Sequence, residues 1–141
     1  MKLDILAIVA HPDDAELCAG GTLIMHQKQG LTTGVVDLTG GELGTRGNAT
    51  TRAEEAANAS KILGLEAREN LGLADGFFED TQESLIKVVS SIRKFQPDVL
   101  LVNAPSDRHP DHGRASALVK RAAFLSGLLK IETGQAPWRP K

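Results

Sequence analysis

LDILAIVA, residues 3–10, is the stretch of sequence that decides the fold. It is short, apolar and rich in β-branched side chains, which predicts a strand that is buried on both faces. His11 and Pro12 end the strand, and residues 16–29 then have the composition of a helix that stops at Gly30. A buried strand followed directly by a helix is typical of the βαβ units of α/β proteins.

The same alternation continues along the chain. Strands are predicted at residues 33–38, 67–73 and 99–103, and helices at residues 53–63, 82–95 and 115–129. We therefore expect a single three-layer α/β domain over residues 1–141, with a Rossmann-like, mostly parallel and doubly wound sheet. Residues 132–141 have the composition of either a connection toward another strand or a frayed tail.

Composition argues against several classes of protein. The 141 residues carry a net charge of −2, and the 41% hydrophobic and 24% charged fractions are those of an ordinary globular domain rather than a disordered chain. A pI near 6.1 and scattered basic residues argue against nucleic acid as a partner. No apolar run approaches the ~20 residues that cross a membrane, and the first residues lack the features of a signal peptide, which predicts a cytoplasmic protein.

The single cysteine, Cys18, excludes an internal disulfide and a cysteine-based zinc site, and it suits a reducing compartment. It lies in the first predicted helix without a catalytic partner nearby in sequence, so we expect it to be buried as a small apolar residue. His26 lies in the same helix beside polar residues, and we expect it at the surface.

Three of the four histidines fall in two short clusters, at residues 11–14 (HPDD) and 109–112 (HPDH). Each cluster follows one of the two strands with the most buried character. In open α/β sheets, ligands bind beyond the carboxyl ends of the strands, where the strand order reverses. If these two strands are neighbours in the sheet, both clusters lie in one crevice.

Metal binding is the chemistry that these clusters support. Imidazole and carboxylate groups suit Zn²⁺, and a catalytic zinc takes three protein ligands and keeps one position open. The clusters hold more titratable groups than three ligands use, which leaves side chains for acid–base catalysis. The alternative is structural, because His-Pro-Asp can form a plain turn in which Asp caps the following helix. Two clusters at strand ends favour the metal site.

The glycine-rich loop at residues 40–47 (GGELGTRG) invites comparison with phosphate-binding loops. It lacks the Gly-Lys-Ser/Thr of a P-loop, and no GxGxxG follows the first strand, so we do not expect nucleotide binding. A flexible loop at the same edge of the sheet is the better interpretation. Arg46 in this loop and Arg52 after it can contact an anionic substrate group, although each can also be a solvated surface charge.

The two clusters carry a family resemblance. Residues 10–16 (AHPDDAE) resemble the signature of the LmbE-like, or PIG-L, family of zinc-dependent N-acetylglucosamine-type deacetylases, and residues 107–112 (DRHPDH) resemble its second metal motif. The resemblance runs along essentially the whole chain. It implies that Zn²⁺ is the cofactor and that His11, Asp14 and His112 bind it.

The resemblance also implies an amidohydrolase that removes an acetyl group from a linear amide. Asp13 matches the general base of the family. His109 matches the residue that polarises the amide carbonyl or stabilises the oxyanion. We expect Asp111 to orient His109 by accepting a ring N–H.

Within the family, residues 39–47 and 51–55 look most like the bacillithiol-biosynthesis branch, whose enzymes remove acetate from N-acetylglucosaminyl-malate. The implied substrate is a small N-acetylated amino-sugar conjugate, with Arg46, Arg52 and Arg108 as candidates for binding it. Members of the family are usually longer than this chain, so we expect a fold shortened at its C-terminus. The resemblance leaves a homo-oligomer possible.

Two alternatives belong to other functional classes. The chain can be a non-catalytic carbohydrate- or metal-binding domain, or an inactive fragment of a deacetylase. The presence of every expected ligand favours the hydrolase. Metal-dependent hydrolysis of phosphate esters is disfavoured by the single-metal ligand count and the missing phosphate cradle.

Overall fold

Strands and helices alternate along the chain as the hydrophobic pattern predicts, and the computed structural model describes all residues, 1–141. In chain order the elements are β1 (Ile5–Val9), α1 (Asp14–Lys28), β2 (Thr33–Thr39), α2 (Ala49–Leu63), β3 (Ala67–Leu73), α3 (Gln82–Phe95), β4 (Val99–Val102) and α4 (Pro110–Ser126). The predicted α/β class is confirmed.

The four strands form one parallel sheet in the order β3-β2-β1-β4. Ile5 of β1 pairs with Thr33 of β2 on one side and with Val99 of β4 on the other. The strand order therefore reverses beside β1. The carboxyl ends of β1 and β4 border the crevice in which sheets of this kind bind ligands.

Side chains alternate between the two faces of β1 and so divide the core into two layers. Leu6 and Ile8 belong to an apolar cluster with side chains of α3 and α4, on one face of the sheet. Ile5, Ala7 and Val9 belong to a second cluster with side chains of α1, on the other face. Helices on both faces of the sheet confirm the predicted three-layer arrangement.

Helices α2 and α4 begin earlier in the chain than the sequence pattern predicts. Asn48 is the N-cap of α2, and its side chain accepts a hydrogen bond from the N–H of Thr51 at 2.9 Å. Helix α4 begins at Pro110, whose fixed φ and missing N–H suit a first helical turn. Capping rather than apolar periodicity sets both starts. The second His-Pro-Asp cluster therefore forms the beginning of α4.

Residues 127–141 contain no helix or strand, yet they are packed against the domain. Trp138 packs on the larger apolar cluster, and its Nε1–H donates to the carbonyl of Pro97 at 2.7 Å. The N–H of Lys141 donates to the carbonyl of Asp98, also at 2.7 Å. The frayed-tail alternative for this segment is therefore wrong.

Arg93 of α3 organises the beginning of this segment from inside the protein. The residue is 2% exposed. Its guanidinium donates to the carbonyls of Ser126, Leu128 and Ile131 and to the hydroxyl of Thr133. These acceptors lie at the C-terminal end of α4 and just beyond it, where the helix dipole favours a cation.

We expect Arg93→Met to lower the free energy of unfolding by about 2–4 kcal/mol, because several buried carbonyls lose their donor. Lys94→Met is the matched control on the same helix. Lys94 is exposed and its ammonium bonds Glu69 at 3.0 Å, so we expect a loss below about 1 kcal/mol. Urea denaturation measures both values. Equal losses in the two variants would contradict the role given to Arg93.

Two side chains of α1, Cys18 and His26, test expectations from the sequence about burial. Cys18 is exposed, not buried. Helix α1 turns Ala15 and Leu23 toward the sheet, and Cys18 lies on the side that faces away from it. His26 lies at the surface of the same helix, as expected. None of the four helices combines the length and the apolar character that a membrane crossing requires.

Candidate functional site

The two His-Pro-Asp clusters meet at the carboxyl ends of β1 and β4. His11 lies just beyond β1, and Asn103 directly follows β4. The N–H of Ala10 donates to Oδ1 of Asn103 at 2.9 Å and ties the two strand ends together. The ring centroids of His11 and His109 are 4.8 Å apart. Both clusters therefore lie in one crevice, as the sequence predicts.

Asp14 lies between His11 and His112, the two histidines that the family resemblance implies as its fellow metal ligands. Its Oδ1 is 3.1 Å from Nε2 of His112, and its Oδ2 is 3.5 Å from Nδ1 of His11. Asn103 and the backbone N–H of His11 each donate to Oδ2 at 3.0 Å. The structure thus brings His11, Asp14 and His112 together around one buried carboxylate.

The other ring nitrogen of His11 faces two buried carboxylates. Its Nε2 lies 3.0 Å from Oδ1 of Asp75 and 3.3 Å from Oδ2 of Asp111. Because carboxylates accept the hydrogen bond, Nε2 carries a proton, and in the neutral ring Nδ1 keeps its lone pair on the side of Asp14. An outer carboxylate that fixes the tautomer and orientation in this way prepares a histidine to bind a metal.

Asp111 does not orient His109 through its carboxylate, which corrects the expectation from the sequence. That carboxylate is fully buried, contacts His11, and accepts from the N–H of Gly76 at 2.9 Å and from Arg114 at 3.1 Å. The backbone N–H of Asp111 instead donates to Nδ1 of His109 at 3.3 Å. The reason is that His109 is the N-cap of α4, while Asp111 lies in its first turn and extends toward His11.

His109 consequently has one ring nitrogen free for a ligand. With Nδ1 acting as an acceptor, the neutral ring carries its proton on Nε2. The residue is exposed, and its ring centroid lies 4.9 Å from that of His112. An N–H donor is therefore available beside the group of His11, Asp14 and His112.

Three residues that the sequence analysis did not select complete the site, namely Asp75, Asn103 and Asp107. Oδ2 of Asp107 lies 3.0 Å from Nδ1 of His112, which leaves Nε2 of that ring facing Asp14. The hydrogen bond to His112 also lowers the pKa of Asp107. Asp107 belongs to the DRHPDH motif and could have been selected from it. No local pattern marks Asp75 or Asn103.

The charges around His11 favour a cation at this point. The hydrogen-bonded Asp14 carboxylate raises the pKa of His11 to about 9, with Asp75 and Asp111 adding to the effect and burial opposing it. Burial favours the neutral form of Asp14, but its hydrogen bonds to His11 and Asn103 outweigh this and lower its pKa. Three buried carboxylates therefore surround one imidazole. A proton and a metal ion compete for that imidazole.

The donor set fits a zinc ion. Two imidazole nitrogens and one carboxylate satisfy the ligand preferences of Zn²⁺ and leave one position open. Two groups bring three ligand atoms within 4.8 Å of one another, namely His11 with His109 and His112, and His11 with Asp75 and Asp111. Asp14 lies beside two histidines of the first group, at 3.1 Å from His112 and 3.5 Å from His11. The carboxylate of Asp111 already accepts hydrogen bonds from a backbone N–H and an arginine, which favours the set of His11, Asp14 and His112.

Asp13 is the free carboxylate of the crevice. It occupies the N-cap position of α1, but its side chain makes no capping hydrogen bond, so the helix-capping alternative is wrong for this residue. Asp13 is exposed, whereas the adjacent Asp14 is buried against the histidines. The two neighbouring carboxylates therefore differ in surroundings, as two different roles require.

Arg68 of β3 fixes the turn that carries these carboxylates. Its Nη2 donates to the carbonyl of Pro12 at 2.9 Å and to Asp37 at 3.0 Å, and its Nε donates to Asp37 at 2.8 Å. Its Nη1 donates to Glu16 of α1. One guanidinium thus connects β3, β2, α1 and the turn after β1. Because β3 and β4 lie on opposite sides of β1 in the sheet, Arg68 contacts this turn from the side away from β4.

Two adjoining cavities open at the site. The first, of 340 Å³, is lined by the three clustered histidines and Asp14, and the second, of 380 Å³, is lined by Arg46. Asp13 and Arg52 line both cavities. Arg108 is exposed and lines neither of them. Of the three arginines expected to bind substrate, the structure therefore brings Arg46 and Arg52 to the site.

Known proteins resemble this chain in sequence and in fold. The sequence profile of the family PIG-L, described as GlcNAc-PI de-N-acetylase, matches residues 6–123. The chain is 32% identical over 134 residues to the diacetylchitobiose deacetylase of Thermococcus kodakarensis, covering 88% of this chain and 50% of that protein. It is 28% identical over 131 residues to the "Probable N-acetyl-alpha-D-glucosaminyl L-malate deacetylase 2" of Bacillus anthracis, covering 84% and 58%.

A solved structure has the same fold. The conserved protein TT1542 from Thermus thermophilus is 44% identical and superposes with a TM-score of 0.93, covering 98% of this chain and 63% of that one. The chain thus spans between half and two thirds of the length of these relatives. Because the family match runs from β1 into α4 and includes both His-Pro-Asp clusters, the chain belongs to the PIG-L family.

Proposed function

We propose that the chain acts as a hydrolase that removes the acetyl group from a small N-acetylated amino-sugar conjugate. The observation that carries the proposal is the free carboxylate of Asp13 beside the group of His11, Asp14 and His112. Hydrolysis of an acetamide needs a base for water, a polarised carbonyl and a proton for the leaving amine. Side chains of this crevice can meet each of these needs.

His11, Asp14 and His112 would hold Zn²⁺, whose ligand preferences this set satisfies. When bound, the ion would polarise the carbonyl and lower the pKa of a water molecule. Asp75 and Asp107 hold the outer nitrogens of the two histidines and so keep the opposite nitrogens directed toward Asp14.

Asp13 would take a proton from the attacking water, whose oxygen then bonds to the acetyl carbon. The Nε2–H of His109 would donate a hydrogen bond to the carbonyl oxygen as that atom becomes an oxyanion. When the C–N bond breaks, Asp13 or His109 would give a proton to the leaving nitrogen. The products are acetate and a free amino sugar, so the atoms and the charge balance.

For the substrate we propose N-acetylglucosaminyl-malate, as in bacillithiol biosynthesis. Arg52 is partly buried between the two cavities, and its guanidinium forms no ion pair or hydrogen bond within the protein. Its donors are free to bind the malate carboxylates. Arg46 lines the second cavity beside it, and Arg108 is a further candidate at the surface. The exposed thiol of Cys18 suits the reducing cytoplasm, where we place the reaction.

We expect Arg52→Ala to raise the KM for N-acetylglucosaminyl-malate about tenfold with little change in kcat, because a charge-assisted hydrogen bond to the substrate is lost. The KM for N-acetylglucosamine, which has no carboxylate, should not change. Lys61→Ala, at the exposed far end of α2, is the control. An unchanged KM for the conjugate in both Arg46→Ala and Arg52→Ala would contradict anion binding at this position.

An acetate-release assay on N-acetylglucosaminyl-malate and on N-acetylglucosamine tests the proposed reaction. Release from the conjugate alone supports the bacillithiol-type substrate. Release from both compounds supports a broader deacetylase. Release from neither, at saturating zinc, would overturn the hydrolase and leave a carbohydrate- or metal-binding domain or an inactive fragment.

A further inference from the structure

We propose that Arg68 is a positioning residue for the reaction, because its guanidinium fixes the peptide plane from which Asp13, the proposed general base, extends. The effect on turnover rests on the proposed function, whereas the effect on the backbone does not. Arg68 lines neither of the two cavities at the histidines and instead lines a third cavity on the other side of the turn. It therefore acts through the turn and does not touch the substrate.

The Asp13 carboxylate depends on its own backbone for its position. It makes no capping hydrogen bond. The adjacent carboxylate of Asp14, in contrast, accepts hydrogen bonds from Asn103 and from the N–H of His11. Whatever holds the main chain on either side of Asp13 therefore decides where the base stands relative to the histidines.

Two hydrogen bonds hold that main chain. The carbonyl of Pro12 accepts from Nη2 of Arg68 at 2.9 Å, and the carbonyl of Asp13 accepts from the N–H of Leu17 at 3.0 Å. The ring of Pro12 already fixes its φ, so the rotation left free before Asp13 is the ψ of Pro12. Because a peptide unit is planar, the bond to the Pro12 carbonyl fixes that rotation and with it the direction in which Asp13 leaves the turn.

Arg68 is anchored well enough to serve as the fixed point. Its Nε and Nη2 form a bidentate pair with the buried carboxylate of Asp37 at 2.8 and 3.0 Å. Its Nη1 donates to Glu16 in the first turn of α1. The planar guanidinium makes these contacts and the one to Pro12 at the same time. The single nitrogen of a lysine side chain cannot reproduce this fork.

Arg68→Lys tests the inference. It keeps a positive charge beside Asp37 and Glu16, so these carboxylates stay compensated and the fold is retained. Arg93→Lys is the matched control, because it makes the same substitution at a buried arginine whose acceptors lie at the end of α4 and just beyond it. Both variants lose buried hydrogen bonds and stability. Only Arg68→Lys releases the turn before Asp13.

We expect Arg68→Lys to lower kcat for acetate release about 10²-fold, the cost of a displacement of about 1 Å, with KM within about twofold. Zinc affinity should fall by less than about tenfold, because the ligands keep their own hydrogen-bond partners. At a temperature at which both variants are folded, Arg93→Lys should keep kcat within about twofold. A near-normal kcat in Arg68→Lys, or equal losses in the two variants, would overturn the inference. A loss of zinc as large as in His112→Ala would overturn it as well.

Hydrogen–deuterium exchange provides a readout that does not depend on turnover. The N–H groups of Asp14 and Leu17 form hydrogen bonds of 3.2 and 3.0 Å within this part of the chain. We expect peptides that cover residues 11–17 to exchange about tenfold faster in Arg68→Lys than in the unsubstituted protein or in Arg93→Lys. Unchanged exchange would overturn the inference at any level of activity. Faster exchange, together with no acetate release from the unsubstituted protein, would support the hold of Arg68 on the turn and overturn only the proposed reaction.

Discussion

Asp13→Asn is expected to lower the rate of acetate release by about 10²- to 10⁴-fold, the range that a positioned general base contributes, while zinc content stays unchanged. Asparagine keeps the size of the side chain but cannot accept the proton of the attacking water. The Asp13 side chain makes no capping hydrogen bond, so the fold does not depend on its charge. Steady-state acetate release and metal analysis of the same preparation measure the two quantities.

Glu54→Gln is the control for this substitution. Glu54 is exposed on α2 and lines neither cavity, so the change removes one carboxylate from the protein surface without touching the crevice. A near-normal rate in Asp13→Asn would show that another group is the base. Loss of zinc together with the rate would show that Asp13 is a ligand instead.

His112→Ala is expected to remove zinc and acetate release together. The substitution leaves Asp14 and His11 as the remaining ligands of a site that needs three from the protein. Zinc affinity should fall by more than the roughly 10- to 100-fold that loss of an outer hydrogen-bond partner costs. Equilibrium dialysis against zinc, followed by metal analysis, measures the affinity.

Two further variants separate loss of a ligand from general damage to the site. His26→Ala removes a surface histidine of α1 and should leave zinc affinity unchanged. Asp107→Asn keeps the shape of the side chain that hydrogen-bonds His112 but removes its charge. We expect zinc affinity in this variant to fall by roughly 10- to 100-fold, less than in His112→Ala. Normal zinc affinity in His112→Ala would contradict the ligand assignment.

The position of the site was predictable because it depends on which parallel strands precede the two clusters. The apolar run before His11 indicates an inner strand, and β1 is one. The run before Asn103 indicates another buried strand, but this expectation is wrong, because β4 lies at the edge of the sheet with Val99 and Val102 exposed. Parallel strands nevertheless end at a common edge. Neighbouring β1 and β4 then bring the two clusters together without any further assumption. Local sequence was sufficient for this part of the site.

The partners of the histidines were not predictable from local sequence. Asp75 follows β3 and reaches His11 only because the loop after that strand folds over the sheet edge. The role of Asp111 was assigned wrongly because its neighbour in sequence, His109, becomes the N-cap of α4. Helix α4 begins at Pro110, inside the second cluster, because His109 caps it. This helix start directs the Asp111 carboxylate toward the ring of His11 and away from that of His109.

The half-buried Arg68 and the buried Arg93 show the same limit. Arg68 and Arg93 have no sequence pattern that separates them from the exposed Arg108. Their roles come from carbonyl and carboxylate oxygens that distant segments supply, such as Pro12 and Asp37 for Arg68. Hydrophobic periodicity predicts which helix faces are buried, but it does not predict where a buried cation finds its acceptors.

An anomalous difference map, collected at the zinc edge from crystals grown with zinc, tests the central claim most directly. The structure predicts one zinc peak per chain, in contact with Nδ1 of His11, the carboxylate of Asp14 and Nε2 of His112. A peak at the opposite nitrogen of His11, between Asp75 and Asp111, would contradict this assignment. The absence of any peak in the crevice would contradict it as well.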